Sequence, residues 1–323
     1  MMNHTSAPAA LAITHEVGTG ITVRSGAATL MRYRYAPTEA QFESPRPYIH
    51  PVSTLGGRLV SVFRPHDHVW HKGIALSLPN VGPDNFWGGA TYRRGDDYVQ
   101  LDNNGSMDHQ RVTAIAVDDT FATFAHDLVW HTQAGNPIIN EHRALRVELA
   151  AADDAWTLRF DTTLTNVSAA SIRIGSPTTE GRENAGYGGL FWRGPRSFTG
   201  GTVIGEDGTE GEDVRGKRGV WAGFSGKHDD VDGESTVVMV DAERNPQHPP
   251  QWFVRSEPFA CLNPAPFFSE EFEFAAGATV AFSYAVVIAD GGSDHARMAR
   301  LAEYGRSALT AAEPNEQKAE VRA

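Results

Sequence analysis

The stretch AWTLRFDTTL, residues 155–164, alternates between apolar and polar side chains with a period of two. Trp156, Phe160 and Leu164 fall on one face of an extended strand with this sequence, and Arg159 and Asp161 fall on the other. The same alternation recurs in VAFSYAVVI, residues 280–288, and more briefly at 21–35, 58–63, 112–117 and 121–130. The pattern predicts at least about eight strands of antiparallel type.

Only one segment has the pattern of a convincing helix. It runs from Asp294 to about Leu309, with Ser293 as its N-cap. Its apolar stripe consists of Met298, Leu301 and either Tyr304 or Ala302. We therefore predict an all-β protein, a large antiparallel β-sandwich with a C-terminal helix. It would form a single domain over residues 13–309, between a flexible N-terminus (1–12) and a disordered tail (310–323).

Composition excludes several classes of function. The 323 residues include 28 Lys and Arg against 40 Asp and Glu, a formal charge of −12, whereas nucleic-acid binding requires a basic surface. No apolar run approaches the roughly 18 residues of a membrane helix, so we expect no membrane partner. Residues 1–13 lack the features of a secretory signal, which favours a cytoplasmic location. The one cysteine, Cys261, rules out an internal disulfide and indicates a buried thiol.

The most distinctive segment is RPHDHVWHKG, residues 64–73, which places three of the 13 histidines within six residues. In an extended chain His66 and His68 point the same way, and His71 can join them after a turn. This arrangement suits acid-base catalysis or a divalent metal ion. The alternative is a polar loop whose histidines are satisfied by neighbouring groups.

A second turn-rich segment, NVGPDNFWGG at residues 80–89, adds amides, an aspartate and Trp87. Together with Trp70 it would form an aromatic platform. Sugars offer an apolar C–H face to aromatic rings and hydroxyls to amides, so this mixture favours a carbohydrate over a nucleotide. Packing of both tryptophans in the core is the alternative.

Strand parity singles out two charged residues in the segment 138–149. Glu141 and Arg143 share the parity of the apolar Leu145, Val147 and Leu149, and so point inward. Because burying unpaired charges is costly, we expect this pair at the rim of the sandwich or in a polar cleft. His142 has the opposite parity and would face away.

Weaker candidates lie elsewhere in the chain. They are His109, Tyr187, Arg193, His248 and Trp252 in the proline-rich NPQHPPQW (245–252), and Asn263 in NPAP (263–266). Prolines restrict the loop that holds His248 near Trp252, although a purely structural loop is equally compatible with this sequence. No motif of a serine or cysteine nucleophile is present.

The segments RPYIHP (46–51), PHDHVWHKG (65–73) and HPPQW (248–252) resemble a bacterial family labelled PmoA-like or methane oxygenase PmoA, over about residues 15 to 305. The label implies a copper-dependent subunit embedded in a membrane, and the chain has no run long enough to cross one. We therefore expect that it is not a methane oxygenase. The resemblance also implies a galactose-mutarotase-like supersandwich, whose members bind sugars on a concave sheet face and include epimerases, lyases and hydrolases.

These features favour an enzyme that acts on a sugar or an oxidised sugar as a lyase, epimerase or hydrolase. The predicted catalytic residues are His68, His71, Glu141 and His248, with either His68 or His71 and then Glu141 transferring the proton. The predicted substrate-binding residues are His66, Trp70, Trp87, His109, Arg143, Tyr187, Arg193, Trp252 and Asn263. One alternative is a divalent metal ion held by His66, His68, His71 or His109 with Glu141. Another is a sugar-binding protein without turnover.

Overall fold

The computed structural model describes residues 10–150 and 152–311, and this part of the chain contains twenty-one strands and one α-helix. The first strands are β1 Leu11–Glu16, β2 Gly20–Ser25, β3 Ala28–Arg34, β4 Tyr48–Val52, β5 Ile74–Ser77, β6 Asn80–Val81, β7 Thr91–Arg93, β8 Asp97–Val99, β9 Ser106–Val117, β10 Phe121–His131 and β11 Pro137–Leu149. The others are β12 Ala155–Asn166, β13 Ile172–Gly175, β14 Gly189–Arg193, β15 Thr202–Gly205, β16 Trp221–Lys227, β17 Glu234–Asp241, β18 Gln251–Arg255, β19 Cys261–Ala265, β20 Phe272–Phe274 and β21 Thr279–Asp290. The helix α1 spans His295–Thr310.

Two large sheets carry most of these strands. The first has the order β1-β2-β3-β4-β5-β14-β19-β18, and the second has the order β15-β16-β17-β21-β12-β11-β10-β9. Small sheets of β20-β13-β6 and β7-β8 complete the set. Since the named strands pair antiparallel and the main core lies between the large sheets, the predicted antiparallel β-sandwich with a C-terminal helix is confirmed.

The stretch 155–164 forms the centre of the second sheet, where Leu158 pairs with Val147 on one side and with Val286 on the other. Its predicted apolar face is buried in the core between the sheets. The opposite face is also covered, because α1 packs over it: Arg159 is nearly buried and donates to the carbonyl of Ala311 at 2.7 Å.

The helix begins one residue later than the sequence predicts. Asp294 rather than Ser293 is its N-cap, and its Oδ1 accepts a hydrogen bond from the Arg297 backbone N–H at 2.8 Å. Ser293 instead shares a hydrogen bond with Thr236. The stripe buried against the sheet consists of Met298, Leu301, Ala302, Gly305, Ala308 and Leu309, with Tyr304 half-buried beside it.

Some residues of the two predicted flexible ends belong to regular secondary structure. Leu11 and Ala12 belong to β1, and Thr310 belongs to α1. Residues 1–9 and 312–323 of those two segments lie outside the described residues. No helix in the described ranges is long and apolar enough to span a membrane.

At the end formed by β14, β19 and β18, the first sheet is apolar on both faces. Leu190, Trp192 and Trp252 point into the core between the sheets. The alternate residues Phe191 and Phe253 point outward into a separate aromatic cluster. Loops cover this outer face, and the candidate functional site lies beneath them.

Candidate functional site

A cavity of about 400 Å³ opens on the outer face of the first sheet. Phe191 on β14 and Phe253 on β18 contribute to its lining from the sheet, and the loops around His68, Trp87 and Tyr187 contribute the rest. Behind it lies Cys261, which is buried with a free thiol, and burial raises its pKa to about 12. The thiol therefore stays protonated and serves as packing.

The histidine-rich segment forms one wall as a loop whose two ends meet. Arg64 N donates to His71 O at 2.9 Å, and Phe63 and Lys72 form an antiparallel bridge. Arg46 donates to the carbonyl of Trp70 at 2.7 Å from within the protein. Two ion pairs hold the base: the buried carboxylate of Glu43 lies 2.8 Å from the exposed Arg64 and 3.3 Å from the buried Lys72.

His68 carries its ring proton on Nδ1. That nitrogen lies 2.9 Å from Oδ2 of Asp67, and Arg193 donates to the same carboxylate at 2.9 Å. Partial burial raises the pKa of Asp67, but the hydrogen bonds from His68 and Arg193 bring it down to about 2. An ionised carboxylate only accepts, so the lone pair of His68 is on Nε2. Burial lowers the pKa of His68, and Asp67 opposes that shift.

His71 has the opposite arrangement. Its Nδ1 lies 2.7 Å from Nη1 of Arg193, and a guanidinium only donates, so His71 carries its proton on Nε2. Burial, with the added charge of Arg193, lowers the pKa of His71 well below 6.5. The two rings stack, with centroids 4.7 Å apart and planes inclined by 8°. One wall therefore presents a proton acceptor, His68, beside a neutral hydrogen-bond donor, His71.

Aromatic rings form much of the remaining lining. The backbone N–H of Trp87 donates to Oδ1 of Asn85 at 2.8 Å, which fixes the turn. The rings of Trp87 and Tyr187 lie 4.5 Å apart. Gly89 has a φ of 71°, and a Cβ there would lie 2.7 Å from the ring of Trp70, so the close approach requires glycine.

Two arginines also line the cavity. Arg182 donates to the hydroxyl of Tyr98 at 2.6 Å, and that hydroxyl lies 2.8 Å from the hydroxyl of Tyr187. Arg255 extends from β18, with its guanidinium carbon 5.6 Å from the ring centre of Phe253. Sequence reasoning missed Arg182, Arg255 and Tyr98. The available signal for Arg255 was its shared parity with Phe253 on one strand.

A family model matches residues 20–303, most of the chain. The chain belongs to DUF6807, a family of unknown function. A search of curated proteins finds no match to this DUF6807 chain.

Solved structures similar to this DUF6807 chain have low identity and low TM-scores. Heparan sulfate lyase HepC from Pedobacter heparinus is 8% identical with a TM-score of 0.39, and the match covers 85% of this chain but 34% of the lyase. An alpha-galactosidase from Lactobacillus brevis is 10% identical with a TM-score of 0.34, covering 87% of this chain and 40% of the galactosidase. A galactose mutarotase-like protein from Clostridium acetobutylicum is 12% identical with a TM-score of 0.32, covering 87% of this chain and 99% of that protein.

Several residues predicted from the sequence meet at the cavity. His68, Trp70, His71, Trp87 and Tyr187 line it. Two further predicted residues support it from behind. Arg193 holds Asp67 and His71 while its guanidinium carbon lies 3.6 Å from the ring centre of Phe259. Asn263 is fully buried, accepts from Gly188 N at 2.8 Å and donates to Leu190 O at 2.9 Å.

Glu141 and Arg143 point inward as predicted, but the expected position at a rim or cleft is corrected. Both side chains are completely buried in the sandwich and are paired at 2.6 Å. Trp130 and Thr162 donate to the same carboxylate at 2.7 and 2.8 Å. The charges are satisfied inside the core, so neither residue faces the cavity.

Trp252 also lies in the core, where its Nε1 donates to Gly219 O at 2.8 Å. It occupies the inner face of β18, opposite the face that lines the cavity, so its predicted role in substrate binding is corrected.

Three predicted histidines lie elsewhere. His66 is exposed and contacts Arg196 at 3.1 Å. His109 on β9 shares a hydrogen bond of 3.0 Å with His126 on β10. His248 pairs with Asp241 at 2.7 Å in a separate cleft near the end of α1. Of the predicted metal ligands only His68 and His71 lie together, and residues 10–150 and 152–311 contain no group of three or more His, Cys, Asp or Glu arranged to hold a metal ion.

Proposed function

We propose that this protein is a cytoplasmic enzyme that binds a sugar or an oxidised sugar in the cavity and catalyses proton transfer, as in a lyase or an epimerase. The observation that carries the proposal is the stacked pair of His68 and His71, in which one ring accepts a proton and the other donates a hydrogen bond. Two adjacent groups of opposite function at one wall suit removal of a proton next to a polarised oxygen.

Each histidine has a defined role in this scheme. His68 takes the proton at Nε2, while Asp67 fixes the tautomer and stabilises the imidazolium that forms. His71 remains neutral because of its depressed pKa, and its Nε2–H binds a substrate oxygen as negative charge develops. Arg193 joins the two, because it contacts both Asp67 and His71. Glu141, which the sequence suggested as the partner base, has no part in this scheme.

The cavity supports a sugar as the ligand. Its volume of about 400 Å³ lies within the roughly 300–1,000 Å³ of small-molecule sites. Trp87, Tyr187 and Phe253 offer apolar faces to C–H groups, while the two histidines and two arginines are available to hydroxyl and carbonyl oxygens.

Exchange of substrate hydrogens with solvent tests the proposal directly. The protein is incubated in D₂O with a panel of neutral sugars, sugar acids and keto sugars, and products and deuterium incorporation are read by NMR. His68→Gln should lower the rate by about 100-fold or more, because the proton acceptor is lost.

His142→Gln is the matched control. His142 also pairs through Nδ1 with an aspartate, Asp127, at 2.8 Å, but on the exterior of the second sheet. Its removal should leave the rate unchanged. Equal rates in wild type and His68→Gln would overturn the assignment, and binding of a sugar without exchange or product would indicate a sugar-binding protein instead.

A further inference from the structure

Among the described residues, Arg255 has no polar partner in the cavity. Within the described ranges, its guanidinium has neither a hydrogen bond nor an ion pair with another side chain. It lies between two rings, with its guanidinium carbon 5.6 Å from the centre of Phe253 and 5.8 Å from the centre of Phe259. The rings restrict its position while all of its N–H groups stay available to a ligand.

The second cation of the lining, Arg182, is close to the same place. Its hydrogen bond to Tyr98 connects it to the hydroxyl of Tyr187. Burial raises the pKa of Tyr187, and the charges of both Arg182 and Arg255 oppose that rise. Arg255 reaches the same side of the cavity through Phe253, whose ring centre lies 5.5 Å from that of Tyr187, so both guanidinium groups line the cavity around Tyr187.

In the part of the chain that the structure describes, no carboxylate balances these charges within the lining, which contains neither Asp nor Glu. Asp67 stands behind His68 and is neutralised by Arg193. Both histidines of the wall have pKa values below the ordinary 6.5 and are uncharged at neutral pH. In a chain with a formal charge of −12, the cavity is therefore a localised positive site.

We infer that the substrate carries a carboxylate, and that Arg255, with Arg182, binds it, so that the substrate class is a sugar acid rather than a neutral sugar. The inference rests on the proposed function for the sugar part of the ligand and on the two arginines for the acid part. A carboxylate paired with a guanidinium receives strong, directional hydrogen bonds, and the rings of Phe253 and Phe259 beside Arg255 restrict where that guanidinium lies.

Binding of matched ligand pairs tests the inference. Glucuronate is compared with glucose, galacturonate with galactose, and benzoate serves as a carboxylate without a sugar. Affinities are measured by calorimetry and by the fluorescence of Trp70 and Trp87, which line the cavity. We expect the acids to bind roughly 10- to 100-fold more tightly than the neutral sugars, the range of a hydrogen bond to a charged group.

The variants isolate Arg255. Arg255→Gln should reduce the preference for the acid to within about threefold, and Arg255→Lys, which keeps the charge, should retain part of it. Arg215→Gln is the matched control, because Arg215 also lies over the ring of Phe253, at 5.7 Å, but pairs with Glu212 and is outside the lining. It should leave the preference unchanged.

The outcomes separate this inference from the proposed function. Equal binding of glucose and glucuronate overturns the inference and leaves a sugar enzyme in place. Binding of benzoate, lost in Arg255→Gln, without binding of any sugar supports the carboxylate site and refutes the sugar. Failure of every ligand to bind refutes both. An acid preference that survives unchanged in Arg255→Gln refutes the role of Arg255.

Discussion

Replacing Glu141 with glutamine should destabilise the protein strongly without impairing its site. The carboxylate accepts four hydrogen bonds: two from Arg143 at 2.6 and 3.0 Å, one from Trp130 at 2.7 Å and one from Thr162 at 2.8 Å. In the Glu141→Gln variant one oxygen becomes an NH₂ group, so the donors on that side meet another donor. The guanidinium of Arg143, which is fully buried, also loses its counter-charge.

The expected loss follows from these two changes. Breaking a buried ion pair by removing one partner costs about 3–5 kcal/mol, chiefly because the remaining charge stays buried. The hydroxyl of Tyr33, 3.2 Å from Arg143, compensates only in part because it is neutral: burial keeps its pKa far above the ordinary value. We expect a decrease of about 3 kcal/mol or more in the free energy of unfolding.

Urea unfolding followed by circular dichroism measures this decrease, and sugar binding by the folded variant measures the site. The double variant E141Q/R143M should recover part of the loss, because it removes the unpaired charge. A loss below about 1 kcal/mol would refute the structural role. A folded variant that is stable yet inactive would restore Glu141 to catalysis.

Three further predictions concern the wall of the cavity and the response to pH. Activity should fall as the pH drops through the pKa of His68. Asp67→Asn should move this limb of the pH–rate profile to lower pH, because Asp67 raises the pKa of His68, and should lower the maximal rate by about 100-fold or more, because the tautomer of the base is no longer fixed; a pH–rate profile checks both. Burial lowers the pKa of His126 well below 6.5, so the unfolded chain binds a proton that the folded chain does not. The free energy of unfolding therefore decreases as the pH falls below 6.5. In urea titrations at several pH values, His126→Asn should reduce this dependence of the unfolding free energy on pH by up to about 1.4 kcal/mol per pH unit. Gly89→Ala should displace the indole of Trp70, because the added Cβ would collide with that ring. We expect a changed tryptophan emission spectrum and a sugar affinity at least about tenfold weaker. An unchanged spectrum would contradict the packing argument.

Strand parity predicted the fold class and the facing of individual side chains, but not which buried face carries the function. On β18, Trp252 and Phe253 are equally apolar, yet Trp252 packs in the core and Phe253 lines the cavity. A period of two shows which residues share a face of the strand, but not which face packs in the core and which lines a site. When both faces of a sheet are covered, the choice depends on contacts made by distant loops.

The same limit explains why the predicted position of the two charged residues at a rim or cleft was wrong. The parity of Glu141 and Arg143 showed that they point inward, and the cost of burial argued for a rim. That cost is offset by Trp130 and Thr162, which come from neighbouring strands and could not be paired with Glu141 from the sequence alone. The histidine cluster was found because its members are adjacent in the chain. Arg255 was missed because its significance depends on the absence of a partner among the described residues, which no sequence pattern reveals.

The loop from Arg64 to Lys72 forms a closed structural unit. Its ends are hydrogen-bonded to each other. Arg193 of the underlying sheet holds Asp67 and His71, and Arg46 and Glu43 hold the base of the loop. A closed loop of this kind can change its sequence without altering the spacing of the strands that carry it. The scaffold is therefore open to diversification at one place, and a graft of this loop into another sandwich would keep the stacked pair of His68 and His71 only if Arg193, Arg46 and Glu43 went with it.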